Sequence, residues 1–440
     1  MNNKGISIRL IIMNFLQYAI WGAYLTSMGS YLANAGLGSK IGLFFSMQGI
    51  VSIFMPALIG IIADKFIPAQ KVLSACHFLA GTFIIGAGAY GISAGESVDF
   101  VTLFTLYSIS VAFYMPTIAL SNSVAYSGLE GAGKDTVKAF PPIRVFGTIG
   151  FICSMIAIDL LGFQHTPYQF IASGVLGMLL CVYSLTLPNV PVSSKKSADF
   201  MEATGLKAFS LFKNPQMAIF FIFSMLLGAA LQITNGFANP FLTQFGANPA
   251  FTETFGVQHA NILISLSQMS ETLCILLIPF FMKKFGIKKV MLMAMFAWVF
   301  RFAFFGMGDP AFPGVIWFVL SMLIYGIAFD FFNISGSLYV NRQTSTEMRS
   351  SAQGLFMLMT NGLGATIGTL SAQAVVNLFT HHSEAVINGV KQGITAGNNP
   401  GSWATVWYIF AAYALVVGIL FLVLFRDPGK DETNVSESQA

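Results

Sequence analysis

The stretch PNVPVSSKKSADFMEATGLKAFSLFKNP, residues 188–215, is the longest polar connection in an otherwise apolar chain of 440 residues. Apolar spans precede it near 8–33, 41–63, 70–94, 100–126, 141–162 and 167–188. Others follow near 216–241, 257–282, 288–308, 313–340, 352–380 and 403–425. About 20 apolar residues cross a bilayer as a helix, so each span is long enough. The linker therefore divides an expected set of twelve helices six and six. The expected organisation is an N-terminal six-helix bundle over 1–188, a cytoplasmic linker over 189–215 and a C-terminal six-helix bundle over 216–428. The polar residues 429–440 are expected to form a disordered cytoplasmic tail.

Composition excludes a water-soluble domain. Hydrophobic residues make up 55% of the chain and charged residues 9%, with a mean hydropathy of +0.72. A soluble protein carries roughly 25% charged residues, so this chain lacks the polar surface that water demands. Forty-two glycines suit membrane helices, which approach each other through small residues.

The placement of charge fixes the topology. Alternate connections hold the lysines and arginines, from Lys4 and Arg9, through Lys195, Lys196 and Lys207, to Arg426 and Lys430. The opposite set holds only Lys40 and Lys391. Positive loops stay in the cytoplasm, which places both termini there, in a multi-pass protein of a bacterial inner membrane. The first span exceeds a signal-peptide core and contains Gln17 and Trp21, so it reads as a membrane helix. Cys76, Cys153, Cys181 and Cys274 fall in different apolar spans and read as packing residues, not as a disulfide or metal set.

Buried ionisable groups are the first functional candidates, because a charge at the bilayer centre costs at least about 2.5–3.5 kcal/mol. Four stand out: Arg144, Glu271, Arg301 and Asp330. Gln268 and Glu271, three residues apart, share a helical face. They offer an amide and a carboxyl to a solute, a proton, or a neighbouring helix. Asp330 shares a face with Asn333, and Tyr325 with Phe329. Asp330 suits a proton acceptor or the structural partner of a basic residue such as Arg144. Arg144, Thr148 and Phe151 align along the fifth helix. Pro141 and Pro142 suggest that this helix starts just before Arg144, which leaves interfacial snorkelling as the alternative for that residue. Arg301, among aromatic residues, is assigned a structural or snorkelling role.

Neutral polar residues add a second pattern. Gln232 and Asn235 share a face of the seventh span, and Asn14, Gln17 and Trp21 share one of the first. Each has helix packing as its bland explanation. Together, aromatic faces, amides and carboxyls suit a ligand with a planar ring, a polar edge and hydroxyls. A nucleoside has all three parts, and a sugar has fewer of them.

Two short motifs differ in value. Gly60-x-x-x-Asp64-Lys65, at the end of the second span, resembles the inter-helix gating motif of the major facilitator superfamily. The run from Gly128 to Asp135 imitates a phosphate-binding loop, but Asp135 stands where a hydroxyl is required and no strand precedes it.

Longer blocks carry a closer resemblance. Phe15 to Gly22, Phe54 to Lys65, Phe140 to Phe151, Phe220 to Gly228, Leu231 to Asn235, Gln268 to Thr272 and Phe329 to Gly336 are similar to the bacterial nucleoside:proton symporter family of that superfamily. One departure is Ala230, where a relative has an acidic residue. The resemblance implies proton-driven nucleoside uptake without a cofactor or a metal, by an all-α fold of two six-helix bundles. It implies substrate contacts at Arg144, Thr148, Phe151, Gln232, Asn235, Gln268, Glu271, Tyr325 and Phe329, with Glu271 and Asp330 as proton-coupling candidates. The implied partners are a nucleoside, a proton and membrane lipid, with no nucleic acid and a functional monomer. The nearest alternative is a superfamily transporter of another small polar solute such as a sugar. An intramembrane enzyme would need a catalytic set at membrane depth, and the adjacent His381 and His382 fall in an external loop.

Overall fold

A computed structural model of the chain describes residues 3–190, 206–344, 348–380, 386–387, 390–391 and 400–426. Its first helices are α1 (Asn3–Gly22), α2 (Met28–Asn34), α3 (Ile41–Lys65), α4 (Ala69–Ala94), α5 (Phe100–Gly131), α6 (Thr136–Leu160) and α7 (Tyr168–Ser184). After a 3-10 turn at Leu206–Lys213 come α8 (Pro215–Gln244), α9 (Phe255–Gln258), α10 (Ala260–Met307), α11 (Val315–Leu323) and α12 (Tyr325–Gln343). The chain continues through α13 (Arg349–Met357), a π-helix (Leu358–Gly364), α14 (Ala365–Phe379) and α15 (Pro400–Leu424). A minute hairpin pairs Val386 with Lys391 and Ile387 with Val390.

Local chemistry sets several of these boundaries. Asp99 caps α5 by accepting hydrogen bonds from the Thr102 amide at 2.8 Å and hydroxyl at 2.9 Å. Those bonds, the amide's first, hold its carboxyl below the usual carboxylate range. Asn214 caps α8 through Gln216 N at 2.9 Å, and Pro215 occupies the first helical position, where no amide proton is needed. Gly286, at φ 76°, breaks α10 into two limbs two residues after the basic pair Lys283–Lys284. A side chain there would be strained.

Among the described residues, nine helices are long and apolar enough to cross a membrane. The expected twelve spans exceed this for physical reasons. The two limbs of α10 count as one continuous helix, α7 has only 17 residues, and α1 carries Asn14 and Gln17 within its apolar run. The surface is that of a lipid-embedded protein. Leu276 and Val423 are 75% and 70% exposed, an arrangement water would penalise over so large an area.

Helices pack in two groups. In the first, α1 lies on α6 and α7, and α4 on α5 and α7. In the second, α10 lies on α12 and α15, and α8 on the π-helix and α14. The groups meet where α6 touches α10, α3 touches α14 and the π-helix, and α2 touches α8. The expected polar linker departs from that description at its end. Ala208 is fully buried, and Phe212 stacks 5.5 Å from Phe221 of α8. Residues 191–205 of the linker, the expected tail over 429–440, and His381 and His382 lie outside the described residues.

Candidate functional site

The site grows from close helix approaches. A Cβ on Gly150 would collide with the Phe15 carbonyl of α1, and one on Gly147 would stand 2.6 Å from the Tyr18 ring and 2.8 Å from Arg144 Nη1. With only hydrogen at these positions, α1 and α6 come close enough for the Arg144 guanidinium to lie over the Tyr18 ring. It sits 3.9 Å from the ring centroid, a cation–π geometry. The helix carrying Arg144 starts at Thr136, not at the proline pair as expected. Pro141 and Pro142 lie inside it, so Arg144 stands more than two turns from the helix start, and it faces Glu271 electrostatically. The guanidinium is directed at the Tyr18 ring and at Glu271, which favours the pathway reading over interfacial snorkelling.

On the other side, a Cβ at Gly326 of α12 would stand 2.6 Å from the Ser270 carbonyl of α10. This approach makes Glu271 and Asp330 electrostatic neighbours. Asp330 is 4% exposed, and its Oδ2 has no hydrogen-bond partner among the described residues. Glu271 is half-buried. No described side chain closes to ion-pairing distance of it, and Arg144 acts on it electrostatically.

The expected faces are present. Tyr325 and Phe329 stack at 5.8 Å with 9° between their planes. The Gln268 amide lies beside the Tyr325 hydroxyl, and Asn235 Nδ2 donates to Gln232 Oε1 at 3.3 Å. Thr148 is half-buried and makes no hydrogen bond among the described residues. Phe151 is 8% exposed and packs edge-on against Trp21 at 6.3 Å. Arg144, Gln268, Glu271, Tyr325, Phe329 and Asp330 thus form one connected cluster. No described contact joins Thr148 or the Gln232–Asn235 pair to it. Gly60 is open on its Cβ side, and the side chains of Asp64 and Lys65 lie outside the described residues.

Two other expectations change. Asn14 and Gln17 are fully buried within the first helix group. Gln17 donates to Thr117 at 2.7 Å and lies 2.9 Å from His77 Nε2. They turn away from the pathway, and Tyr18, one residue along, faces it instead. Cys153 is exposed, not packed, while Cys76 and Cys274 are buried.

Arg301 is structural, as assigned, but it does not snorkel. It is 2% exposed, and its Nη1 donates to the Ser321 carbonyl at 2.6 Å and Ser267 Oγ at 3.3 Å. Its guanidinium lies 4.6 Å from the Tyr325 ring centroid, so it braces the aromatic pair from behind. Arg301→Leu strands the Ser321 carbonyl, at a cost of about 1–3 kcal/mol, and frees Tyr325. The expected result is a lower unfolding midpoint together with weaker nucleoside-induced stabilisation of the purified protein. An unchanged midpoint would contradict the bracing role.

Sequence reasoning missed a second cluster, at the end of the molecule away from the linker. Asp159, at the end of α6, is fully buried in its side chain and pairs with His259 Nδ1 at 2.6 Å. The same carboxylate accepts from the Asn261 and Ile262 amides at 3.0 and 3.3 Å, capping α10 of the other helix group. Nearby, Asn261 Oδ1 accepts from Thr26 at 3.1 Å and Asn239 at 2.8 Å, and Ser30 donates to Asn239. Gln373 Oε1 accepts from the Gly42 amide at 2.6 Å. His165 also borders Asp159, and burial holds its imidazole below the ordinary value against the pull of that carboxylate. These bonds tie the two groups together at this end. The only sequence signal was an acidic residue closing an apolar span with no lysine beside it.

Comparison with known proteins supports one assignment. A family model described as "Nucleoside H+ symporter" matches residues 4–430. Xanthosine permease of Escherichia coli (strain K12) is 47% identical over 433 residues, covering 97% of this chain and 98% of the relative. The nucleoside permease NupG of the same organism is 44% identical over 425 residues, covering 96% of each. A crystal structure of the nucleoside transporter NupG superposes with a TM-score of 0.84 at 43% identity, covering 97% of this chain and 100% of that one. The fold is therefore the all-α membrane fold of the major facilitator superfamily, and the chain belongs to the nucleoside:H+ symporter family.

Proposed function

We propose that the chain takes up nucleosides together with protons across the bacterial inner membrane by alternating access around the Arg144–Glu271–Asp330 cluster. The observation that carries this reading is positional. Arg144 and Glu271 face each other across the junction of the two helix groups, beneath an end that is stitched shut by hydrogen bonds. With that end tied, a solute would reach them from the linker side, which makes an inward-facing conformation the working state of this proposal. Rocking of one group against the other would expose the same residues to the opposite side.

In this reading the limbs of α10, with α1 and α7, complete twelve crossings, and both termini are cytoplasmic. The bundles span 1–188 and 216–428, joined by 189–215, with 429–440 as a tail. The protein works as a monomer in lipid, converts nothing chemically and needs neither metal nor nucleic acid. Arg144 and Glu271 grip ribose hydroxyls. Gln268, Thr148, Gln232 and Asn235 supply polar contacts, and Phe329, Tyr325 and Phe151 enclose the base. Glu271 and Asp330 carry the coupled proton, and Gly60, Asp64 and Lys65 form a gating turn. One proton crossing about 100 mV supplies about 2.3 kcal/mol, enough for roughly fortyfold accumulation of a neutral solute.

The test is uptake of labelled uridine or adenosine into proteoliposomes under an imposed pH gradient. Unlabelled nucleosides should compete and sugars should not; competition by sugars alone would favour the solute-transporter alternative. Phe329→Ala and Phe151→Ala should each weaken nucleoside binding by about 1–3 kcal/mol through loss of stacking. Undiminished affinity in both would remove the aromatic enclosure from the account.

A further inference from the structure

Arg144 is the cation of the candidate site, and the partner it takes is a ring and not a carboxylate. Its guanidinium carbon lies 3.9 Å from the centroid of Tyr18, while no described carboxylate comes within ion-pairing distance of it. In a region of low dielectric an opposite charge attracts a guanidinium more strongly than a ring does. Arg144 and Glu271 influence each other electrostatically, yet they remain apart.

The seam between α1 and α6 keeps them so. Besides Gly147 and Gly150 of α6, Gly22 of α1 lets the two helices touch, since a Cβ there would collide with the Phe151 carbonyl. Tyr18 is 7% exposed, and its ring is seated on Gly147, so it has little room to leave the guanidinium. Tyr18 and Arg144 belong to one helix group and Glu271 to the other. Their contact therefore stays within one seam, whereas an Arg144–Glu271 pair would bridge groups that move against each other. Of the other ionisable side chains, Tyr114 of α5 stands near Tyr18 and Arg144. Asp330 and Tyr325 of α12 and Cys274 of α10 stand near Glu271. Arg301 lies behind Tyr325, so none of these groups is a cation that replaces Arg144 beside the carboxyl.

We propose that Tyr18 is a positioning residue whose ring holds the Arg144 guanidinium on the α6 side of the pathway, so that the empty site does not close on an Arg144–Glu271 ion pair. The inference rests on the nucleoside reading above and adds to it the residue that sets the place of the cation. Without the ring, the Glu271 carboxylate captures the guanidinium, and a nucleoside has to break that pair to bind. The pair exists only while Glu271 is charged. The penalty is therefore present at alkaline pH and fades as protonation of Glu271 removes the attraction. A merely structural role for Tyr18 would weaken binding alike at every pH.

The experiment measures KM for uridine exchange by the full-length transporter in proteoliposomes, at equal pH on both sides and over a range of pH. Tyr18→Leu, Tyr18→Met and Tyr18→Phe are compared with the wild type. In the two aliphatic variants KM should rise roughly fivefold or more at alkaline pH, the scale of one desolvated cation–π contact. The excess should shrink towards the wild type as the pH is lowered. Tyr18→Phe keeps the ring face and should follow the wild type throughout. In a Glu271→Gln background, with no carboxylate to capture the guanidinium, Tyr18→Leu should change KM much less. A rise in KM that is the same at every pH, an unchanged KM, or a Tyr18→Phe as impaired as Tyr18→Leu overturns the inference. So does failure of both aliphatic variants to fold while Tyr18→Phe folds, since the ring would then be structural. A wild type that exchanges no nucleoside would instead overturn the reading on which it rests.

Discussion

Glu271→Gln is expected to abolish uptake driven by a pH gradient while leaving nucleoside exchange measurable. Glu271 and Asp330 are neighbouring carboxyls on α10 and α12, and Arg144 is the cation that faces Glu271. Two carboxyls and one guanidinium in a shared interior cannot all be charged cheaply, because an uncompensated charge in a low-dielectric region is costly. Proton occupancy of the pair is therefore tied to whether its space holds solute or opens to a new side. Replacing either carboxyl by its amide keeps shape and removes the proton. Accumulation at 100 mV should fall from about fortyfold to equilibration. Asp330→Asn should lose coupling as well. Because Asp330 is nearly buried while Glu271 is half-buried and is the proposed sugar ligand, Asp330→Asn should keep the better exchange of the two. Gradient-driven uptake that survives in both variants would remove the carboxyl pair from the coupling mechanism.

What the sequence reveals of this fold follows from the range of the forces involved. The span near 41–63 became Ile41–Lys65, and that near 216–241 became Pro215–Gln244. Bilayer thickness and loop charge act locally, so they are written in contiguous residues. The pairs Gln232–Asn235 and Tyr325–Phe329 were also legible, because helical periodicity alone brings them together. Orientation around a helix axis was harder. Asn14 and Gln17 share a face as read, but His77 and Thr117, from other helices, decide that this face is internal. The start of α6 was misread because a proline pair resembles a helix start. Thr136–Ala139 nonetheless precede it as a further turn, and the missing proline amides fall near that end, where few bonds are lost. The π-helix leaves no periodic signal, and the braces on Arg301 come from residues 20 and 34 positions away.

Asp159→Ala should release the end of the molecule that now closes the pathway. The Asp159 carboxylate accepts from His259 Nδ1 and two backbone amides at the start of α10, residues about 100 positions away in the other helix group. Its negative charge also stands at a helix N-terminus, where the backbone dipole favours it. Separation of the groups at this end has to strip the carboxylate of all three donors, whereas bonds within either group can survive the movement. Truncating one partner of such a buried, charge-assisted set costs about 2–5 kcal/mol, and here that cost falls on the closed state. A loss of about 2.7 kcal/mol shifts a two-state equilibrium roughly a hundredfold, enough to make a minor outward-open form prominent. Spin labels at Ala35, just after α2, and Gly246, in the 3-10 turn after α8, at this end of the two groups, should report a new longer distance in Asp159→Ala. Asp159→Asn, which keeps an acceptor oxygen without the charge, should give an intermediate population. Transport should slow in both, since a cycle that rests outward-open returns to the cytoplasmic side less often. A distance distribution identical to the wild type would mean that the Asn239–Asn261 and Gly42–Gln373 contacts hold the end closed without Asp159.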